Sequence, residues 1–219
     1  PDEVAFSKGS FRASASGRAV SVFEIARAAQ TLNDLADDLR GPLAAECDHT
    51  FKDGGYPYGC AVCEVEIDPG TGTIEIVRYS AVDDVGRAIN PMILHGQTHG
   101  AIAQGVGQAL WEQVVLDRSS GQVMTGSFMD YAMPRADILP SFRTELMEVP
   151  SPSNPLGVRA GGEGGTTPAL GAVVNAVVDA LRDFGVTHME MPATSERVWR
   201  AIQDGRARMA AGGSGSAKA

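Results

Sequence analysis

A chain of 219 residues, 43% apolar and 21% charged, has globular composition and room for one large domain or two small ones. Its 18 basic and 27 acidic residues leave a net charge of −9, and without a basic stripe nucleic acid and anionic membranes are excluded as partners. No apolar run nears the roughly 18 residues of a spanning helix, and three cysteines make no disulfide framework, so a cytoplasmic location is expected. The first residue is Pro1, which fits a processed chain or one piece of something longer.

Residues 1–19 read as an irregular N-terminal segment, and 20–204 as the main domain. Ser21-Val-Phe-Glu24 has capping-box spacing, and a helix follows through Ile25, Ala28, Ala29 and Leu32 until Gly41-Pro42. Ala61–Ile67 and Thr73–Ser80 flank the turn cluster Asp68-Pro-Gly-Thr-Gly72 and predict a hairpin. Residues 92–112 predict a helix with Gly96, Gly100, Gly105 and Gly107 inside it. Each interior glycine costs roughly 1 kcal/mol relative to Ala, so something bulky or another backbone is expected close by. A second hairpin is predicted around 117–121, a strand over Phe142–Val149 and a loop over Pro150–Pro155. Leu170, Val173, Val174, Val177, Val178, Leu181 and Phe184 define a helix over Pro168–Phe184, with Thr167 as N-cap and Gly185 as stop. A short helix over 195–204 and a frayed tail over 205–219 complete a mixed α+β class of hairpins and helices.

Several constellations could carry chemistry. Cys47, His49, Cys60 and Cys63 are four possible zinc ligands, but a strand places Cys60 and Cys63 on opposite faces, so no metal site is assigned. Gly105-Val-Gly107 resembles the start of a dinucleotide fingerprint, yet position 110 is Leu110 and no classical strand precedes it. His95 and His99 have zinc-pair spacing without the intervening glutamate of a metalloprotease. The sharpest feature is Gly161-Gly-Glu163-Gly-Gly165. A lone carboxylate among four glycines suits a general base, because a dry niche raises a carboxylate's pKa, whereas a nearby helix start favours its ionised form. A glycine-rich loop whose Glu163 caps the helix is the alternative.

Four stretches occur together in order: Val82-Asp-Asp-Val-Gly-Arg-Ala-Ile-Asn-Pro91, Gly96-Gln-Thr-His-Gly-Ala-Ile-Ala-Gln-Gly-Val-Gly-Gln108, Phe128-Met-Asp-Tyr-Ala-Met-Pro134 and the segment around Glu163. With Tyr56-Pro-Tyr-Gly-Cys60 and Met191-Pro-Ala-Thr-Ser-Glu-Arg-Val-Trp199, they span roughly residues 20–202. The chain resembles the C-terminal part of the molybdenum-binding subunit of the xanthine dehydrogenase/aldehyde oxidase/aerobic carbon monoxide dehydrogenase family.

The resemblance implies a molybdenum hydroxylase that oxidises an aldehyde or N-heteroaromatic carbon with water-derived oxygen, with Glu163 as general base. It implies Gln97, Arg159 and Gly162 along a molybdopterin, and Asp84 and Asn90 at the nucleotide end of a cytosine dinucleotide form. Molybdenum would be held through the pterin dithiolene, with no protein ligand. Electrons would leave through [2Fe–2S] and FAD groups on partner subunits, because three cysteines cannot ligate a four-cysteine cluster. Family subunits run to several hundred residues. The chain is therefore expected to act with the remaining N-terminal part of the molybdenum subunit as a separate chain, an iron–sulfur subunit and an FAD subunit. Two further readings stay open: a non-catalytic assembly or scaffold subunit, and carbon monoxide oxidation, whose copper-binding cysteine would lie outside this chain.

Overall fold

In the computed structural model, residues 3–48, 50 and 54–213 are described; His49 of the cysteine/histidine set lies outside them. The chain divides into two compact units, Pro1–Thr50 and Phe51–Ala219, a boundary inside the 20–204 span read as one domain.

The first unit corrects the irregular reading of residues 1–19. Strands β1 (Val4–Ser7), β2 (Ser10–Ala13) and β3 (Ala19–Ser21) form an antiparallel meander. The β1–β2 turn places Lys8 at φ 49° and Gly9 at φ 75°, the left-handed pair that matches strand twist in a two-residue hairpin. Phe6 and Phe11 sit opposite each other, ring centroids 4.7 Å apart. Short strands with polar alternation lack the apolar run that marks a strand in sequence. Helix α1 (Val22–Thr31) starts as the capping box requires: Glu24 N–H donates to Ser21 Oγ at 3.2 Å, and Ser21 N–H donates to Glu24 Oε2 at 2.8 Å.

In the second unit β4 (Tyr58–Ile67) and β5 (Ile74–Asp84) form the expected hairpin, closed by Asp68, which accepts from Gly70 N–H at 2.8 Å and Thr71 Oγ1–H at 2.9 Å. The register slips at Glu64/Val65: Glu64 pairs with Arg78 and Val65 with Ile76, leaving Val77 as the extra residue on β5. The inward set is therefore Ile76, Tyr79, Ala81 and Asp83, not a strict alternation from Ile74. Strand β6 (Arg143–Met147) adds parallel to β5 after a long crossover that contains helix α2 (Pro91–Leu110). The second predicted hairpin shrinks to one bridge, Leu116–Val123, because Asp117 binds Ser119 and Ser120 around a tight turn and no ladder follows.

Helices α2, α3 (Glu163–Ala180) and α4 (Ser195–Gly213) complete the core, where Ile102, Val106, Leu110, Val173, Val177, Leu181, Val198 and Ile202 are fully buried with Tyr79. Helix α3 begins earlier than Thr167–Pro168 predicts: Gly162 is the N-cap and Pro168 lies inside the helix. A proline near a helix start forfeits only one intrahelical bond, here to the Gly164 carbonyl, so the glycine run still winds into helix. Gly185 stops the segment as expected, at φ 71° after a 3₁₀ turn over Arg182–Phe184. Helix α4 continues to Gly213, which corrects the frayed tail from 205. Its apolar face carries Val198 and Ile202 into the core, and Gly205 packs on Phe184.

The glycines of α2 divide into two kinds. A Cβ at Gly105 would stand 2.6 Å from Thr166 O and 2.7 Å from Ala169 Cβ; one at Gly165 would stand 2.7 Å from Ala101 Cβ and 2.8 Å from Thr98 O. These two positions let α2 and α3 touch backbone to backbone. Gly96 and Gly100 meet nothing within 4 Å. Their openness has no packing explanation within this chain.

Candidate active site

Glu163 is the first residue of α3, so its carboxylate belongs to the first turn, where free N–H groups and the helix dipole favour negative charge. It is exposed in this chain, not enclosed as the glycine-flanked niche suggested, and it lies at the rim of two cavities. The larger, about 580 Å³, is lined by Gln97, Gly100 and Gln104 from α2 and by Gly162, Glu163 and Thr166 from α3. The other, about 410 Å³, is lined by Tyr56, Tyr58 and Asp83 from the hairpin and by Glu163, Thr167 and Pro168.

The fold thus brings Gln97, Gly162 and Glu163 to one cavity. Asn90 sits two turns before Gln97 on the same helix and caps it, its Oδ1 accepting from Ile93 N–H at 3.2 Å, with the side chain exposed. Asp84 and Arg159 pair with each other and line neither cavity. Asp84 is fully buried; its Oδ1 accepts from Gly86 N–H at 2.9 Å and Val149 N–H at 3.1 Å, and its Oδ2 stands 3.4 Å from Arg159 Nε. Burial pushes the Asp84 carboxyl up, but those two N–H groups, the Tyr58 hydroxyl and the Arg159 charge outweigh it and hold the group below the usual range. Hydrogen bonding to Asp84 raises the Tyr58 phenol in turn. Arg159 also donates from Nη1 to Tyr56 O at 3.3 Å and lies 5.3 Å over the Tyr58 ring, so the pair pins the start of β4 to the segment leading into Glu163.

Asp83 carries no assignment in the sequence reading although it stands inside the Val82–Pro91 motif. It is 4% exposed, faces the 410 Å³ cavity, and burial alone raises its carboxyl above the ordinary value. The only sequence signal for its inward direction is the bulge, which periodicity does not show.

The cysteines behave as the strand reading predicts: Cys60 is exposed, and Cys63 turns inward with its thiol pushed up to about 11 by burial and by Glu64. His95 Nδ1 and His99 Nε2 both contact Thr144 Oγ1, at 2.8 and 3.0 Å. Among the described residues no group of three or more His, Cys, Asp or Glu side chains could hold a metal, and no helix is long and apolar enough to cross a membrane.

A large flat cofactor fits the residues present. Gly96, Gly100 and Gly162 leave bare backbone with no atom within 4 Å of a Cβ position, and the side-chain amides of Gln97 and Gln104 are exposed beside them.

Comparison with known proteins shows the family. The molybdopterin cofactor-binding domain family matches residues 1–140. The chain is 37% identical over 206 residues to the 6-hydroxypseudooxynicotine dehydrogenase complex subunit gamma of Paenarthrobacter nicotinovorans, covering 93% of this chain and 25% of that one. It is 42% identical over 153 residues to the nicotine 6-hydroxylase large subunit of the same organism, covering 70% and 18%. Among solved structures, quinoline 2-oxidoreductase from Pseudomonas putida 86 superposes with TM-score 0.80 at 33% identity, covering 93% of this chain and 26% of that one. Carbon monoxide dehydrogenase from Oligotropha carboxidovorans superposes with TM-score 0.80 at 29% identity, covering 94% and 26%. The chain spans about a quarter or less of the length of these relatives. It belongs to the molybdopterin cofactor-binding domain family, among the molybdenum-binding subunits of the xanthine dehydrogenase, aldehyde oxidase and aerobic carbon monoxide dehydrogenase group.

Proposed function

We propose that this chain supplies the general base and much of the cofactor cradle of a molybdenum hydroxylase acting on an N-heteroaromatic or aldehyde carbon. The observation that carries the reading is Glu163: a carboxylate in the first turn of α3, at the rim of a cavity whose α2 wall is bare backbone and exposed amides. The relatives named for nicotine and quinoline support the heteroaromatic choice within that pair.

The molybdenum carried by bound molybdopterin would supply the two-electron oxidant, taking up the electron pair of the C–H bond that the substrate carbon loses. Gln97 and Gln104 offer side-chain N–H donors and carbonyl acceptors to the edge of a pterin, and Gly100 and Gly162 admit its face without a clash. Glu163 takes the proton from the water-derived oxygen as it attacks the substrate carbon. Asp84 is enclosed, so it acts through Arg159, fixing the segment 159–163 from which the base projects. Asn90, whose Oδ1 is used in capping, has its amide N–H groups left for the nucleotide end of a cytosine dinucleotide cofactor. A [2Fe–2S] subunit and an FAD subunit would carry the electrons away, and the rest of the molybdenum subunit would be a further partner.

Native purification with bound partners, followed by metal analysis, tests the reading. About one molybdenum per copy of this chain, together with an iron–sulfur subunit, is expected; a metal-free complex from an active source would favour a scaffold role. Carbon monoxide oxidation is the second reading, favoured by the superposition on carbon monoxide dehydrogenase.

A further inference from the structure

Asp83 leaves the inward face of β5 opposite Gly59 of β4. Gly59 makes the room for it: a Cβ there would stand 2.6 Å from Asp83 Oδ1. On its other side the carboxyl carbon lies 3.5 Å from the Cβ position of Gly164, the residue after Glu163. Among the described residues no donor and no cation reaches this carboxylate, and desolvation is the sole influence on its ionisation. Its neighbour Asp84 has taken the nearby cation, Arg159. Asp83 as a residue is 4% exposed, and what accessible surface its carboxylate keeps opens on the cavity, so a ligand there would supply the partner that the described residues do not.

The cavity it opens on has the chemistry of a cation site. Buried Asp83, exposed Glu163, Tyr56 and Tyr58 line it, with no basic side chain in the lining. Tyr58 already carries the Arg159 guanidinium over its ring, whereas Tyr56 is 78% exposed and, among the described residues, has no cation over its ring. A volume of about 410 Å³ suits a small organic molecule. We propose that this cavity binds a protonated amine carried by the substrate, with Asp83 as its counter-ion and Tyr56 as its aromatic face. The inference rests on the hydroxylase reading: Glu163 borders both cavities, so a substrate anchored at Asp83 brings its reacting carbon toward the base and the cofactor side.

The test uses the intact complex and two probes of one shape: nicotine, whose pyrrolidine nitrogen is protonated at neutral pH, and 3-(2-methylcyclopentyl)pyridine, in which carbon replaces that nitrogen. Binding is read by calorimetry, and kcat and KM are read separately. Wild type is expected to prefer nicotine. Asp83→Asn should weaken nicotine binding by about tenfold or more, through Kd and KM and not kcat, and leave the neutral probe unchanged. Tyr56→Leu, which leaves the buried charge alone, should weaken nicotine binding by about threefold. Equal effects on both probes, or no preference in wild type, would overturn the subsite. Loss of molybdenum or of a partner chain in Asp83→Asn would also overturn it, by assigning Asp83 to assembly. A complex that prefers the amine but oxidises neither probe, nor any of a panel of N-heteroaromatic compounds and aldehydes, contradicts the hydroxylase reading and keeps the subsite; one that oxidises the neutral probe without preferring the amine does the reverse.

Discussion

Asp83 and Asp84 are consecutive on β5, leave the strand on opposite faces, and among the described residues only Asp84 has a cation, with Arg159 Nε 3.4 Å from its Oδ2. Two buried carboxylates 1 residue apart in sequence therefore affect stability in opposite directions.

For Asp84 the folded carboxyl titrates below the unfolded value, so its contribution is complete above about pH 4 and is lost as pH falls through the lowered value. Arg159→Ala leaves this carboxylate buried without its cation and should cost about 2–4 kcal/mol near pH 7, measured by denaturation of the full chain. The deficit should shrink in acid, where Asp84 protonates.

Asp83 has the reverse sign. Its folded carboxyl titrates above the unfolded value, so stability declines as pH rises from about 4 through the raised value, and the cost remains above it. Asp83→Asn should therefore stabilise the ligand-free protein at pH 7, by about 1 kcal/mol or more, with the gain vanishing below pH 4. A thermal melt series across pH measures both carboxylates together.

The two kinds of glycine in α2 and α3 separate packing from binding. Gly165→Ala drives a Cβ into Ala101 and the Thr98 carbonyl and should destabilise the fold by about 1–3 kcal/mol. Gly100→Ala meets no atom, so the helix should gain up to about 1 kcal/mol. If the pterin lies on that open backbone, the same change lowers molybdenum content, read by metal analysis of the purified complex.

In the first unit Ser21→Ala removes the acceptor for Glu24 N–H and should cost about 1 kcal/mol, seen as a lower melting temperature.

Much of the second unit is legible in sequence, and its misses have identifiable causes. The hairpin and the core face of α3 follow from turn residues and spacing, as the capping box does in the first unit. Asp83 is missed because Val77 inserts one residue into β5, and a bulge moves every later side chain to the other face. The start of α3 is missed because Pro168 reads as a first position, although a proline is tolerated near a helix start. The open and closed glycines look alike in sequence; only the α2–α3 contact separates Gly105 from Gly100.

The most direct measurement is turnover of the purified complex carrying Glu163→Gln, with molybdenum content determined on the same sample. A general base in the first turn of α3 predicts a loss of about 10²–10⁴ in kcat with molybdenum retained. Unchanged turnover with full molybdenum would contradict the account and leave Glu163 as a residue that only begins a helix.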